Sequence, residues 1–300
     1  MTSTSVPPLS NYNNTFLEVG TNVYYSDNPV ATPFHPRPMP EISDTRKMIY
    51  IELSDYVMNA MFYQMYLNER MNSKITADKV PPPLKNFLRT SCSKAPTDGD
   101  AAPKSFRDAV TRKICLGSLV PSLNKEYPDQ IVDLEFIPHA LPDFEARDGK
   151  GLFNMLGRIL VYALDDSGRR RQVLVVNCDL GAESEIKMSE QRITGDLQIT
   201  KLELTVHRTS LKKLNPRNVE QLSPVAKQIL APELSKLLKE GFPLPLQEIL
   251  TIYDPDVHVR DGYILVSADF ELDEANLQKQ FQEKIKSTLG GQLEKIAVNA

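Results

Sequence analysis

The sequence predicts an α+β fold, a long antiparallel sheet accompanied by a few apolar helices. Three observations carry this reading. From residue 130 onward apolar residues recur with period two through long stretches such as "QIVDLEFIPHA", "GLFNMLGRILVYALDDSG" and "QITKLELTVHRTS". The breaks between them are short, so successive strands must be antiparallel, because parallel neighbours need a long crossover. Two other segments, "LSDYVMNAMFYQMYLNE" and "LSPVAKQILAPELSKLLKEGF", carry helix caps and helical apolar spacing instead.

The elements follow in order. Residues 1–41 divide into a residual strand, "TFLEVGTNVYYS", and a linker, "NPVATPFHPRPMPEI", whose five prolines favour an extended chain and defeat a helix. The main domain is expected over 42–272. It starts with the strand "KMIYIEL", which runs directly into the first helix. Ser54, followed by Asp55, supplies a side-chain oxygen for a free backbone N–H at that helix start. Val57, Ala60, Met61 and Met65 make one apolar face of the helix, and Met58, Phe62 and Tyr66 make another. An ordinary surface helix hides one stripe and wets the other. "NSKITADKVPPPL" predicts a short strand and a turn, and "GSLVPSLNKEYPD" at most one short capped helix.

The strands from 130 to 210 come next, with Asp165, Asp166, Ser167 and Gly168 as a turn and Arg169 to Arg171 as a solvated hairpin tip. In the second helix Ser223 is the expected cap, Pro224 occupies the first turn and Gly241 closes it. Val225, Ile229, Leu230, Leu234, Leu237 and Leu238 form its broad apolar face, with a kink expected at Pro232. "EILTIYDPDVHVRDGYILVSADFEL" predicts two final strands. The tail, 273–300, has a helical stripe of Leu277, Phe281, Ile285 and Leu289.

Composition narrows the function. The 300 residues carry a net charge of −4, so no basic field marks nucleic acid as a partner. No run of 18 apolar residues predicts a membrane span. The first residues, "MTSTSVPPLSNYNN", lack the basic and apolar regions of a signal peptide. Of the three cysteines, Cys178 sits in an apolar strand pattern as a small core residue. Cys92 and Cys115 flank a polar loop, and the residues leave two states open, a disulfide or two free thiols. The catalytic motifs tested are missing: no nucleophile elbow, no phosphate-binding glycine loop and no helical histidine pair among His35, His139, His207 and His258. Asp254 and Asp256 flank Pro255 as a turn, not as a catalytic carboxylate pair. No enzyme activity, metal or cofactor is therefore expected.

What remains is physical. A helix apolar on every side is penalised in water at about 25 cal/mol per Å² of apolar surface. It must face the sheet, another subunit or an apolar ligand. Met58, Met61 and Met65 suit a guest, because the thioether adapts to irregular shapes. Two readings follow: a tunnel between helix and sheet that holds acyl chains, or a packed interaction domain that docks a partner.

Three stretches, "IYIELSDYVMNAMFYQMY", "GDLQITKLELTVHRTS" and "KEGFPLPL...LTIYDPDVHVRDGYILVSADF", resemble the C-terminal domain of the bactericidal/permeability-increasing and lipopolysaccharide-binding protein family. Lipid transfer proteins are relatives. Leu53 to Tyr56 and Gly241 to Pro245 are the most specific parts. The resemblance implies a tubular lipid-binding fold, a long curved sheet wrapped around a long helix with a second helix beside it. It implies a phospholipid in an apolar tunnel, an extracellular protein, a homologous N-terminal domain as partner and a role in innate immunity. Lipopolysaccharide binding belongs to the family's basic N-terminal domain and is not carried over to this mildly acidic chain. The lipid is then expected on Tyr56, Val57, Ala60, Met61 and Met65, together with Ile229, Leu230, Leu234 and Leu238.

Overall fold

The computed structural model describes residues 30–42, 46–80, 82–92, 114–165, 167–189, 192–243 and 250–274, with four short strands before residue 22 and single positions up to 279. For the early strands, for 82–84, 242–243 and 250, and for Ile229, Glu233 and Leu237, it describes the backbone alone. The four early strands are β1 (Ser3–Ser5), β2 (Leu9–Asn11), β3 (Asn14–Phe16) and β4 (Val19–Thr21). They pair as β1 with β4 and β2 with β3. The single strand expected over "TFLEVGTNVYYS" is therefore divided between two ribbons.

β5 (Ile49–Ser54) leads into α1 (Asp55–Leu67), as the sequence predicts. β6 (Ser73–Ile75) and α2 (Pro82–Phe87) follow, then α3 (Leu116–Leu119) and α4 (Pro121–Glu126). The expected single short helix after Cys115 is thus two, with Pro121 opening the second. The period-two region forms β7 (Ile131–Pro138), β8 (Asp143–Arg147), β9 (Lys150–Leu164), β10 (Arg170–Ser189) and β11 (Arg192–Thr209). β8 was not expected. Asp148 and Gly149, at φ 50° and 81°, adopt the left-handed geometry of a two-residue hairpin and turn β8 into β9.

α5 (Pro216–Glu220) and α6 (Leu222–Glu240) come next. Ser223 is not the cap. Helical structure starts earlier, where the Asn215 side chain accepts from Arg217 N at 3.1 Å and Pro216 takes the first position. One helix runs through Pro232 and ends at Gly241, with φ 65°. A Cβ at Gly241 would stand 2.6 Å from Ile193 O, so only glycine fits this stop. Arg192 donates to the carbonyls of Glu240 and Gly241 at 2.7 Å each, neutralising the helix end. β12 (Phe242–Pro243), β13 (Leu250–Arg260) and β14 (Tyr263–Leu272) complete the order. The predicted tail stripe from Leu277 to Leu289 lies outside the described residues.

Every strand pair described is antiparallel. Seven strands make one sheet in the order β12-β11-β10-β9-β7-β6, with β8 also on β9; β13-β14-β5 make a second. β10 runs for 20 residues; the extra residue Val173 bulges it against β9, and Thr200 and His207 bulge β11 against it, which lets such long strands bend. The main core lies on the large sheet, where Val132, Val161, Val173, Val176, Leu180 and Leu202 meet Leu116, Leu123, Val219 and Leu222 from the helices. Cys92 and Cys115 are joined, which settles the open alternative. Cys178 is a buried free thiol in that core, and burial, then the Asp179 charge, pushes it up to about 11.

The hairpin tip is solvated as expected, with Ser167 to Arg171 all exposed. Asp165 accepts from the N–H groups of Ser167 and Arg169, fixing the turn. Arg170, though exposed, also lies 4.0 Å over the Tyr162 ring and 3.5 Å from the Asp133 carboxylate.

Candidate functional site

α1 has four sides, and three of them are held by different neighbours. At its start Ser54 Oγ accepts from Tyr56 N at 3.2 Å, and Asp55 N donates to Gly262 O at 3.0 Å. Gly262 N in turn donates to Ala146 O at 2.8 Å, so the β13–β14 turn ties the helix start to the end of β8. On the first side, Met58 and Phe62 pack against the cluster of Phe144, Ala146, Val259, Ile264 and Val266. The Phe62 ring also meets Phe153 of β9 edge-on at 5.4 Å.

On the second side Asn59 clamps β8. Its Nδ2 donates to Phe144 O and its Oδ1 accepts from Phe144 N, both at 2.8 Å. The amide thereby mimics a strand neighbour.

The third side holds Tyr56, Ala60, Tyr63 and Gln64, and here the proline-rich segment docks. Residues 30–42 form neither helix nor strand. The hydroxyls of Thr32 and Tyr56 are 2.8 Å apart, and Gln64 Nε2 donates to Val30 O at 2.6 Å. Phe34 meets the rings of Tyr56 and Tyr63 edge-on at 5.6 and 6.0 Å. The segment continues to Gly262, where a Cβ would stand 3.8 Å from Arg37 Nη1.

The fourth side is Val57, Met61 and Met65, spaced four apart. All three are half-buried, and among the described residues they belong neither to a core cluster nor to the residues packed against one.

The nine residues expected to line one groove are therefore divided. Tyr56 and Ala60 face the proline-rich segment. Val57, Met61 and Met65 make the unused stripe. On α6, Leu230 and Leu234 pack onto the main core, and Leu238 Cδ2 would lie 2.9 Å from a Cβ at Gly195. The Ile229 side chain lies outside the described residues. α1 rests on β8 and β5 while α6 rests on β11, so the helices are carried by different supports. Phe153 links the two regions, touching Phe62 and, like Leu230 and Leu234, packing against the main core.

Two open clefts flank Arg37. The smaller, about 340 Å³, is polar and is lined by Phe34, Asp55, Tyr56, Asn59, Asp143 and Glu145 among others. Burial pushes the Asp55 carboxyl above its ordinary range; Asp143 and Glu145 add to this and Arg37 opposes it. The larger, about 1000 Å³, lies between Arg37–Pro40, Ile186 and the β13–β14 turn. Neither is an enclosed apolar tunnel, and of the nine predicted residues only Tyr56 lines either. Among the described residues no three His, Cys, Asp or Glu side chains gather to hold a metal. Among them, too, no helix is long and apolar enough to cross a membrane.

Sequence reasoning missed Thr32, Phe34, Asn59 and Gln64. Two signals could have found them. A glutamine amid apolar helix residues needs a buried partner. Tyrosines seven apart form an aromatic ladder of the kind on which proline-rich chains dock.

Comparison with known proteins decides the family. Residues 7–272 match the LBP / BPI / CETP family, C-terminal domain. The chain belongs to this family. It is 23% identical to human (Homo sapiens) lipopolysaccharide-binding protein over 226 residues, which is 75% of this chain and 42% of that protein. It is 19% identical to bactericidal permeability-increasing protein of Sebastes schlegelii over 242 residues, 80% of this chain and 46% of that protein. A crystal structure of lipopolysaccharide binding protein superposes with a TM-score of 0.48 at 21% identity, covering 85% of this chain and 50% of that one. This LBP/BPI/CETP-family chain thus spans less than half the length of the curated relatives it matches.

Proposed function

We propose that the chain is a non-enzymatic lipid-binding module that holds a phospholipid-like amphiphile along α1. The observation that carries this reading is the stripe of Val57, Met61 and Met65, half-buried and, among the described residues, used by no core cluster, in a member of the LBP/BPI/CETP family. Acyl methylenes laid on such a stripe contribute about 0.8 kcal/mol each, so no catalytic group is needed. Leu230, Leu234, Leu238 and Ile229 would form the far wall if the two helices share one guest. The Cys92–Cys115 bond supports an oxidising, extracellular setting. Relatives named for lipopolysaccharide binding and bacterial permeability support a role in innate immunity. Native mass spectrometry of purified protein, with uptake of a fluorescent phospholipid, tests the reading. We expect one or two lipids per chain; neither co-purified lipid nor uptake would refute it.

A second reading has its own observation. Met48 and Tyr253 are 62% and 40% exposed at one end of the β13-β14-β5 sheet. That end suits docking of a homologous N-terminal domain, and the open, polar-edged clefts favour a packed interior. Changing both to serine would then abolish capture of such a domain while leaving phospholipid uptake unchanged.

A further inference from the structure

We infer that residues 30–40 are a removable strap, closing one side of α1 at rest and lifting as an amphiphile enters; this rests on the lipid reading above. The strap lies extended along the helix. Thr32 and Phe34 turn towards α1 and are half-buried, whereas Ala31, Pro33 and His35 are exposed. Side chains do all the holding: among the described residues, no backbone-to-backbone hydrogen bond joins 30–42 to the body. Beyond Phe34 the strap does not enter a core. Arg37, Pro38, Met39 and Pro40 form a wall of the open 1000 Å³ groove.

The decisive group is Gln64. It is 1% exposed, and while its Nε2 donates to Val30 O, its Oε1 has no hydrogen-bond partner among the described residues. A buried acceptor without a donor penalises the closed state. A permanent wall would be expected to satisfy that oxygen and to carry ladder bonds of its own. A cover that must lift is better served by a closed state with one polar group left wanting. Lifting wets the amide and offsets part of the ring contact that is lost. The prolines help as well, since a stiff extended segment gains little disorder when it comes away and can settle again as a unit.

Position links the strap to the lipid. On the helix, Gln64 and Ala60 lie between the strap residues Tyr56 and Tyr63 and the stripe Val57, Met61 and Met65. An acyl chain that spreads from Met61 onto Ala60 enters the place that Thr32 and Phe34 occupy. The strap therefore competes with the guest for one half of the helix and leaves the methionine half as the point of entry.

The sequence contains no tryptophan, so Phe34→Trp provides a single reporter at the strap. Loading from phosphatidylcholine vesicles carrying a fluorescent phosphatidylcholine should move its emission to longer wavelength and open it to acrylamide quenching. Phe34→Ala removes both ring contacts and should load the same probe about tenfold faster. Emission that stays unchanged while the probe is taken up, or equal loading rates for Phe34→Ala and the unchanged chain, overturns the strap alone. No uptake by any of the three proteins overturns the lipid reading, and the strap with it.

Discussion

Met58 and Met61 are three residues apart on α1, and the structure gives them different work. Met58 packs into the cluster of Phe144, Val259, Ile264 and Val266, whereas Met61 belongs to no cluster. Glutamine has nearly the shape of methionine with a polar end, so changing each to glutamine isolates polarity from volume. Met58→Gln places an amide against an apolar cluster that offers it no partner, a cost of about 2 kcal/mol. In a chain of this size that lowers the melting temperature by ~5 °C. Met61→Gln sits on a half-buried stripe outside the core and should change stability by less than ~0.5 kcal/mol. It removes apolar contact worth about two methylenes from any guest, ~1.5 kcal/mol, and so weakens phospholipid retention roughly tenfold. Calorimetry and fluorescent phospholipid titration of both variants make the check. The reasoning fails if Met61→Gln melts as early as Met58→Gln, or if Met58→Gln loses lipid while keeping its stability.

Gly117→Ala should cost at least ~3 kcal/mol in chemical denaturation, because the new Cβ would lie 1.5 Å from Thr90 O in backbone that cannot yield cheaply. Replacing Cys92 and Cys115 by serine opens a loop with a sequence separation of 23 and should lower stability by about 3 kcal/mol in the same assay. The Asp165 carboxyl is held from its ordinary 3.8 down to about 2, chiefly by the Ser167 hydroxyl and then by the Arg169 N–H. Its depressed value means that the β9–β10 turn keeps this support above pH ~4 and loses it as pH falls towards 2. An NMR titration should find the Asp165 midpoint near 2, and Asp165→Asn should remove the acid response of the turn. Cys178, buried with its thiol raised to about 11, should resist iodoacetamide in the native protein and react fully in guanidinium.

The sheet was legible in the sequence because its signal is repeated. Leu202, Leu204 and Val206 alternate with exposed residues along β11, so each position confirms the next. β8 was not, since five residues give too short a run and its signal is the Asp148-Gly149 turn instead. Ser223 misled for a related reason. A good cap residue in second place in a helix looks like its start, while the working cap of the helical region, Asn215 before Pro216, lies outside the apolar pattern. The candidate site was legible in kind but not in arrangement. Periodicity shows that every side of α1 is apolar or aromatic. It does not show that Tyr56 meets Thr32 or that Asn59 meets Phe144, since those contacts span 24 and 85 residues.

Low amphipathicity in α1 follows from three unlike neighbours and one stripe outside the described core. Each stripe has the chemistry of what it touches. Met58 and Phe62 meet an apolar cluster and carry no polar atoms that need partners. Asn59 meets strand backbone and brings both a donor and an acceptor. Tyr56, Tyr63 and Gln64 meet a proline-rich chain and bring rings for its side chains and a donor for its carbonyl. Val57, Met61 and Met65 lack a matching partner in a core among the described residues, yet two of the three are flexible thioethers. A stripe selected only to be tolerated in water would carry charge, and one selected to pack would sit in a cluster. Flexible apolar residues that do neither fit a neighbour that comes and goes. That is the physical argument for placing the guest on this stripe and not on the Met58 side.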